Sequence, residues 1–298
     1  MDFVLACMLA IAGLVFGSFL NVCISRIPRD QSIIHPGSHC PRCGAPIRWY
    51  HNIPLVSYVV LRGQCAACAG TISIRYPIVE GLTALLFLAC FLKFGLTWSF
   101  LKFCIFSFLL LGLIFMDAET GFLPHEFTYP GLVLGLLFAW LAPGDSGGTM
   151  FLLQWTGFNH QLDARQFSLL DSAVAVLLGA AFFYFIWAIY YLVRKRHGIG
   201  FGDIALIAMC GAFLGLKLTL FVLFTAPVLG SAFAVLLVLK TLRPVKAAAN
   251  HSEGYRSARE LLRNAQVPFG VFLGTSSLLA IFWGEAAWTQ YLRWITVR

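Results

Sequence analysis

Eight stretches of the chain are almost entirely apolar, and short polar segments separate them. A helix needs about 20 apolar residues to cross the roughly 30 Å hydrocarbon core of a membrane, and most of these stretches approach that length. The fourth and sixth stretches are short, and the sixth could re-enter the membrane instead of crossing it. The pattern predicts transmembrane helices near residues 3–24, 78–94, 98–116, 127–141, 169–193, 204–216, 218–239 and 267–288.

The composition agrees with this interpretation. Hydrophobic residues make up 59% of the chain and charged residues only 11%, with a mean hydropathy of +0.82. A soluble globular protein has about 25% charged residues, so this chain could not cover its surface with polar groups. The same figures exclude a disordered or collagen-like chain. The net charge of +8 does not indicate nucleic-acid binding, because in a membrane protein the distribution of Lys and Arg among the loops sets the orientation of the spans.

The placement of Lys and Arg predicts the orientation, because cytoplasmic loops of membrane proteins are enriched in both. With the N-terminus outside and eight crossings, the inner loops 25–77, 117–126, 194–203 and 240–266 hold 15 of the 21 Lys and Arg residues. A re-entrant sixth segment would place the basic loop 240–266 outside. We therefore predict an all-α polytopic membrane protein with eight transmembrane helices, both termini outside and no cleavable signal peptide.

The loop 25–77 is a small insertion between the first two helices of what is otherwise a single membrane domain, 1–298. Two CxxC pairs, with 21 residues between them, lie in this loop. Their spacing fits a structural tetrahedral zinc site, with disulfides or a redox CxxC as alternatives. A cytoplasmic loop disfavours lasting disulfides, and a small lobe without an evident core needs a metal to fold. The predicted zinc ligands are Cys40, Cys43, Cys65 and Cys68.

Two acidic residues lie at the predicted inner ends of apolar helices. Asp117 follows the third helix, and Asp203 opens the sixth after the glycines Gly198, Gly200 and Gly202. Ionisable groups at such positions are unfavourable and therefore candidates for function, although Asp203 could simply be a helix N-cap. The glycines permit a close backbone approach, and no βαβ pattern surrounds them that would indicate dinucleotide binding.

Together these motifs resemble the type IV prepilin peptidases (leader peptidase/N-methyltransferases), a family of GxGD-type intramembrane aspartyl proteases. The resemblance covers most of the chain, and the order and spacing of the motifs make it specific. The motifs are Gly17-Ser-Phe-Leu-Asn21, Arg26-Ile-Pro28, Cys40-Pro-Arg-Cys43-Gly44, Asn52-Ile-Pro54, Cys65-Ala-Ala-Cys68, Arg75-Tyr-Pro77-Ile-Val-Glu80, Asp117, Leu123-Pro124, Thr128-Tyr-Pro130, Gly200-Phe-Gly202-Asp203 and Val267-Pro268-Phe-Gly270.

Two positions depart from the family pattern. The family usually has an acid after the Leu-Pro pair, where this chain has His125, and a Lys two positions after the GxGD aspartate, where it has Ala205. Neither departure removes a catalytic carboxylate, but both affect expectations about local contacts with substrate or headgroups.

The resemblance implies a membrane endopeptidase of the bacterial inner membrane. Such enzymes cut the basic leader from type IV prepilins or type II secretion pseudopilins at the cytoplasmic face. Many then methylate the new N-terminus with S-adenosylmethionine. By motif position, Asp117 and Asp203 would be the catalytic aspartates, Gly200 and Gly202 the active-site loop, and the four cysteines the zinc ligands. The pilin served and the oligomeric state are not determined by the sequence.

Peptide hydrolysis by two carboxyl groups requires one of them ionised and the other protonated. Asp117 lies at a helix C-terminus and Asp203 at a helix N-terminus, where the helix dipole respectively disfavours and favours the anion by roughly 0.3–1 kcal/mol. We therefore expect the shared proton mainly on Asp117. Glu119 and Glu126, in an inner loop without Lys or Arg, are candidate counter-charges for the basic leader.

A methyl-donor site is harder to place, because the sequence has no Rossmann pattern. Asn52, Arg75 and Glu80 lie in motifs at the junction between the lobe and the membrane, and could bind the donor or merely seat the lobe. Two other classes of function remain at this point: an ion-coupled transporter and a non-catalytic assembly scaffold. The acids near helix ends and the lack of paired broken helices argue against a transporter.

Overall fold

The computed structural model describes residues 2–144, 148–149, 162–195, 200–247 and 268–296. Within these ranges the secondary structure is helical, apart from two isolated β-bridges in the lobe. The helices are α1 (Asp2–Arg26), α2 (Val56–Val60), α3 (Arg75–Phe94), α4 (Trp98–Thr120), α5 (His125–Leu141), α6 (Ala164–Arg194), α7 (Phe201–Ala247), α8 (Phe269–Leu279) and α9 (Glu285–Thr296). A π-helical segment, Ala280–Gly284, joins α8 to α9.

The all-helical membrane architecture is confirmed, whereas the count of eight spans is not. In the described part of the chain, six helical segments are long and apolar enough to cross a membrane. Two features account for the difference. Helix α5 has only 17 residues, with Pro130 inside it, and the sixth and seventh predicted spans both lie within α7. The basic side chains of 240–266, which favoured eight crossings, lie outside the described residues.

Helix α7 contains a sharp break at Gly215, whose φ of 73° and ψ of 178° are not helical. Before the break α7 runs antiparallel to α6, with Gly211 against Ala175. After it the chain turns back, because atoms of Ile207 and Thr219 both lie within 4 Å of a Cβ built on Gly179. A residue with a side chain would be strained at this φ, so Gly215 makes the reversal possible.

Helix α4 forms the centre of the bundle, since its apolar residues Phe106, Leu110, Leu113 and Met116 are all fully buried. Phe106 stacks on Phe213 of α7, with ring centroids 4.4 Å apart. In the described part of the chain, α4 packs against α1, α3, α5, α7 and α8. The last turn of α4 is therefore surrounded by other elements, and it is this turn that carries Asp117.

Candidate active site

Asp117 is buried, with 6% of its surface exposed. Its Oδ2 accepts a hydrogen bond of 2.9 Å from the backbone N–H of Val271, in the first turn of α8. The first N–H groups of a helix have no partner within the helix and carry a partial positive charge. Asp117 thus satisfies one of these donors from a position 154 residues earlier in the chain.

Asp203 lies in the first turn of α7 and is half-buried. Its backbone N–H donates to the carbonyl of Gly200 at 3.1 Å, which closes the glycine-containing turn before the helix. The carboxyl groups of Asp203 and Asp117 are close enough to interact electrostatically. The structure therefore brings the two sequence-predicted aspartates to the same end of the bundle.

Leu123, in the connection between α4 and α5, holds this arrangement together. It is 7% exposed, and its Cβ would lie 2.8 Å from a Cβ added to Gly202. A Cβ added to Gly270 would lie 3.0 Å from Leu123 Cδ1 and 2.8 Å from Asp117 Oδ2. Both positions need glycine because another side chain fills the space that a Cβ would occupy. The Leu-Pro and Pro-Phe-Gly motifs therefore pack directly beside the aspartates.

The expected asymmetry between the two carboxyl groups loses its basis in this geometry. It rested on Asp117 being at the C-terminal end of its own helix. The N-terminal turn of α8, which faces Asp117, favours the anion there too. Asp203 thus lies at the N-terminus of its own helix, and Asp117 faces the N-terminus of another helix. The position of each aspartate within its own helix therefore does not decide which one carries the shared proton.

The four predicted cysteines converge in the lobe, and their Sγ atoms all lie within 4.8 Å of one another. Zinc–sulfur bonds of about 2.3 Å in a tetrahedron place the sulfur atoms about 3.8 Å apart. The distance of 4.0 Å between Cys40 Sγ and Cys68 Sγ is near that value. The donor set therefore fits a structural zinc ion, with no position left for a reacting water.

The two CxxC pairs form turns with the same hydrogen bonds. In the first, the N–H of Gly44 donates to the carbonyl of Cys40; in the second, Ala69 donates likewise to Cys65, both at 2.9 Å. Backbone N–H groups of Cys43 and Arg42 lower the pKa of the Cys40 thiol to about 6. Desolvation and the neighbouring Cys68 and Cys40 raise the pKa of the Cys43 thiol to about 11, so only one thiol of this pair ionises readily at neutral pH without metal.

The candidate methyl-donor residues lie where the lobe meets the membrane helices. Glu80 is buried, and its Oε2 accepts a 2.8 Å hydrogen bond from the N–H of Leu55 in the lobe. Arg75 donates to Ser25 Oγ at 2.7 Å and forms an ion pair of 2.6 Å with Glu119. Asn52 is exposed on the lobe. Glu80 and Arg75 therefore at least fix the lobe to α1, α3 and α4.

Two acids expected to face a basic leader differ in their surroundings. Glu119 is engaged by Arg75, so its charge is already partly compensated. Glu126 is exposed at the start of α5, beside His125, whose ring stacks on Tyr129 at 4.6 Å. Glu126 is thus the more available of the two for a cationic segment. Gly198 lies outside the described residues.

Comparison with known proteins gives two family matches that follow one another along the chain. Residues 11–94 match the profile of the bacterial peptidase A24 N-terminal domain, and residues 104–235 match that of the type IV leader peptidase family. No solved structure matches the chain.

Several curated relatives carry the name prepilin leader peptidase/N-methyltransferase. The protein from Myxococcus xanthus is 39% identical over 80% of this chain, and the alignment spans 64% of that relative, just under two thirds of its length. The protein from Neisseria gonorrhoeae is 33% identical over 76% of this chain and 80% of its own length. The Pseudomonas aeruginosa protein is 30% identical over 94% of this chain and 91% of its own length.

Proposed function

Because the chain belongs to the type IV leader peptidase family, we propose that it is an aspartyl endopeptidase of the bacterial inner membrane that removes the leader of type IV prepilins or type II secretion pseudopilins. We also propose that it then methylates the new N-terminus, using S-adenosylmethionine as the methyl donor. The observation that carries the peptidase proposal is the convergence of Asp117 and Asp203 at one end of the bundle, where Leu123 packs against both Gly202 and Gly270.

Two carboxyl groups that interact at close range do not readily ionise together, so the second ionisation shifts to higher pH and the active pair holds one shared proton. The ionised carboxylate takes a proton from a water molecule, which attacks the carbonyl carbon of the scissile peptide bond. The protonated partner donates to the carbonyl oxygen, where negative charge develops. Transfer of a proton to the leaving nitrogen then completes cleavage, and the pair is ready for a new water molecule.

The proposed substrate fits the position of the pair. A prepilin N-terminus is a basic leader followed by an apolar helix, which can lie in the bilayer against the exposed apolar faces of the bundle. We propose eight crossings, with a single membrane domain, the lobe 25–77 inserted into it, and the aspartates facing the cytoplasm. The chain reversal at Gly215 supports this topology, because it makes the two halves of α7 antiparallel.

Coexpression with a prepilin tests the peptidase proposal. Cleavage lowers the mass of the prepilin by that of its leader, whereas an ion-coupled transporter or an assembly scaffold leaves the substrate intact. An intact prepilin in the presence of the folded wild-type protein would contradict the proposal.

Replacing Gly270 with Ala should lower cleavage at least about tenfold without unfolding the protein. The new Cβ would lie 2.8 Å from Asp117 Oδ2, and the aspartate must move to relieve that contact. Misplacement of a catalytic group by about 1 Å can reduce the rate a hundredfold. Initial cleavage rates on a purified prepilin measure the effect.

Gly81→Ala is the matched control, because Gly81 is also helical and a Cβ there meets nothing within 4 Å. Equal rates for the Gly270→Ala and Gly81→Ala variants would show that the packing against Asp117 does not position it.

For methylation, we propose that the donor binds at the junction between lobe and membrane, near Asn52, Arg75 and Glu80. Arg75 Nε is buried there and has no hydrogen-bond partner, although its terminal nitrogens are engaged. The hydrogen bond between Glu80 and Leu55 ties the segment that follows Asn52 to α3. These contacts make the junction a defined surface close to the ends of α1 and α4.

Asn52→Ala should lower N-methylation about three- to tenfold while leaving leader cleavage unchanged. A net hydrogen-bond contribution of roughly 0.5–1.5 kcal/mol corresponds to an effect of this size. Mass spectrometry of the mature N-terminus reports both steps in one sample. Gln31→Ala removes another exposed amide of the lobe and serves as the control. Unchanged methylation in Asn52→Ala would remove Asn52 from the donor site.

A further inference from the structure

At the end of the bundle opposite the aspartates lies a cavity of about 220 Å³. It is several times larger than the roughly 30 Å³ that one water molecule occupies in the liquid. Lys102 of α4 lines it, fifteen residues before Asp117 in the same helix, which corresponds to about 22 Å along the helix axis. The cavity is therefore separate from the proposed catalytic site.

Most charged groups around this cavity have partners. Asp171 Oδ1 accepts from the hydroxyl of Thr149, and its Oδ2 accepts from the N–H of Leu216, which supports the turn at Gly215. Lys217 forms an ion pair of 2.5 Å with Glu285.

Lys93 is likewise engaged. Its Nζ donates at 2.7 and 2.8 Å to the carbonyls of Ile281 and Phe282, in the π-helical segment. With Asp171, Glu285 and Lys217 also paired, the ionic groups from α3, α6, α7 and α9 around the cavity are accounted for.

Lys102 is the exception. It is buried, with 6% of its surface exposed, and it makes no hydrogen bond or ion pair within the part of the chain that the structure describes. Its Nζ lies 5.4 Å from the centroid of the Phe103 ring. Among the described residues, Asp171 is the acidic group that interacts with Lys102, but it is not within ion-pair distance and its oxygens are already engaged. A buried ammonium without a close counter-charge is unfavourable, so an anion in the cavity would stabilise it.

We propose that this cavity binds a phosphate group, with Lys102 as its counter-charge. The hydroxyl-bearing residues Ser99 and Ser172 also line the cavity and offer polar neighbours for phosphate oxygens. Phe94 and Leu218 provide apolar walls. Phosphate suits the site because its oxygens can accept from an ammonium and from hydroxyls at the same time.

Two sources can supply the phosphate. The cavity lies near the ends of helices that are long and apolar enough to cross a membrane, at the end opposite the aspartates. In the proposed topology, a phospholipid headgroup of the outer leaflet can therefore supply the phosphate. Free phosphate from the surrounding solution has the same chemistry. The two differ in whether a glycerol and acyl chains accompany the phosphate along the apolar wall.

The test uses the purified full chain in a non-ionic detergent. Binding of phosphatidylglycerol and of diacylglycerol, which lacks the phosphate, is measured by native mass spectrometry. Binding of inorganic phosphate is measured as a shift in the thermal unfolding midpoint. The wild type should bind at least one phosphate-bearing probe and should not bind diacylglycerol at this site. Retention of phosphatidylglycerol identifies a lipid site; a phosphate-dependent shift without lipid retention identifies a free-anion site.

Lys102→Met should weaken binding of the phosphate probe at least tenfold, and Lys102→Arg should retain it. Arg165→Gln is the control, because it removes an exposed basic residue that does not line the cavity. If Lys102→Met does not fold, Ser99→Phe keeps the charge, fills the cavity and should also abolish binding. Binding by no probe to the wild type, or undiminished binding to Lys102→Met or Ser99→Phe, overturns the proposal.

Discussion

Replacing either Asp117 or Asp203 with Asn should lower prepilin cleavage at least about a thousandfold. Asparagine is close in size to aspartate but can neither take a proton from water nor pass one to the substrate, and acid–base catalysis contributes roughly 10²–10⁴-fold. Because the two groups act as a pair, their effects should not add, and the double variant should retain about the same activity as the less active single variant. Initial rates on a purified prepilin, followed by mass spectrometry, measure the loss.

Asp163→Asn is the matched control for this experiment. Asp163 caps α6 with its side chain and is exposed, and Asn is an equally good N-cap, so the same chemical change should leave cleavage unaffected. Substantial cleavage by either Asp117→Asn or Asp203→Asn, with Asp163→Asn at wild-type level, would show that the two aspartates are not a catalytic pair.

The second large effect is expected in the lobe. The wild-type protein should contain about one zinc ion per chain, and Cys65→Ser should lower zinc affinity at least about a hundredfold, because one of four thiolates is lost. Structural zinc contributes free energy to folding, so the lobe should also become sensitive to proteolysis when the metal is lost. Elemental analysis of the purified protein and limited proteolysis measure the two effects.

Cys7→Ser provides the control, because Cys7 is exposed in α1 and does not belong to the cluster. The zinc content of this variant should equal that of the wild type. A wild-type protein without zinc, or a Cys65→Ser variant that keeps its full zinc content, would contradict the zinc proposal. Cleavage by a zinc-free variant would not, since four thiolates leave the metal no catalytic position.

The count of membrane spans shows which features of the fold hydropathy can predict and which it cannot. Hydropathy located the apolar segments because an apolar run is a local property of the chain. It could not show that the segments before and after Gly215 belong to one broken helical run, or how Asp171 stabilises the break. Nor could it show that α5 ends after 17 residues. Direction changes depend on contacts between helices, which hydropathy does not report.

For the motif residues, too, the sequence identified the residues but not their contacts. Gly270 and Leu123 stood out as members of motifs, but their positions against Asp117 became visible only in the folded chain. Lys102 had no signal at all, because a lysine near a helix end normally extends to the membrane surface. Its burial beside a cavity became visible only in the folded chain, where residues of α3, α6, α7 and α9 line the same cavity as Lys102.

By itself, the sequence determined the helical membrane character, the two CxxC pairs at zinc-ligand spacing, and the identity of the two candidate aspartates. Each of these is encoded by composition, by short motifs or by the spacing between two motifs in one loop. Only the tertiary structure decided that the N-terminus of α8 meets Asp117, that Arg75 pairs with Glu119, and that Lys102 lies without a close counter-charge. These depend on groups 44 to 154 residues apart, or on several helices at once, and such contacts exist only after the chain has packed.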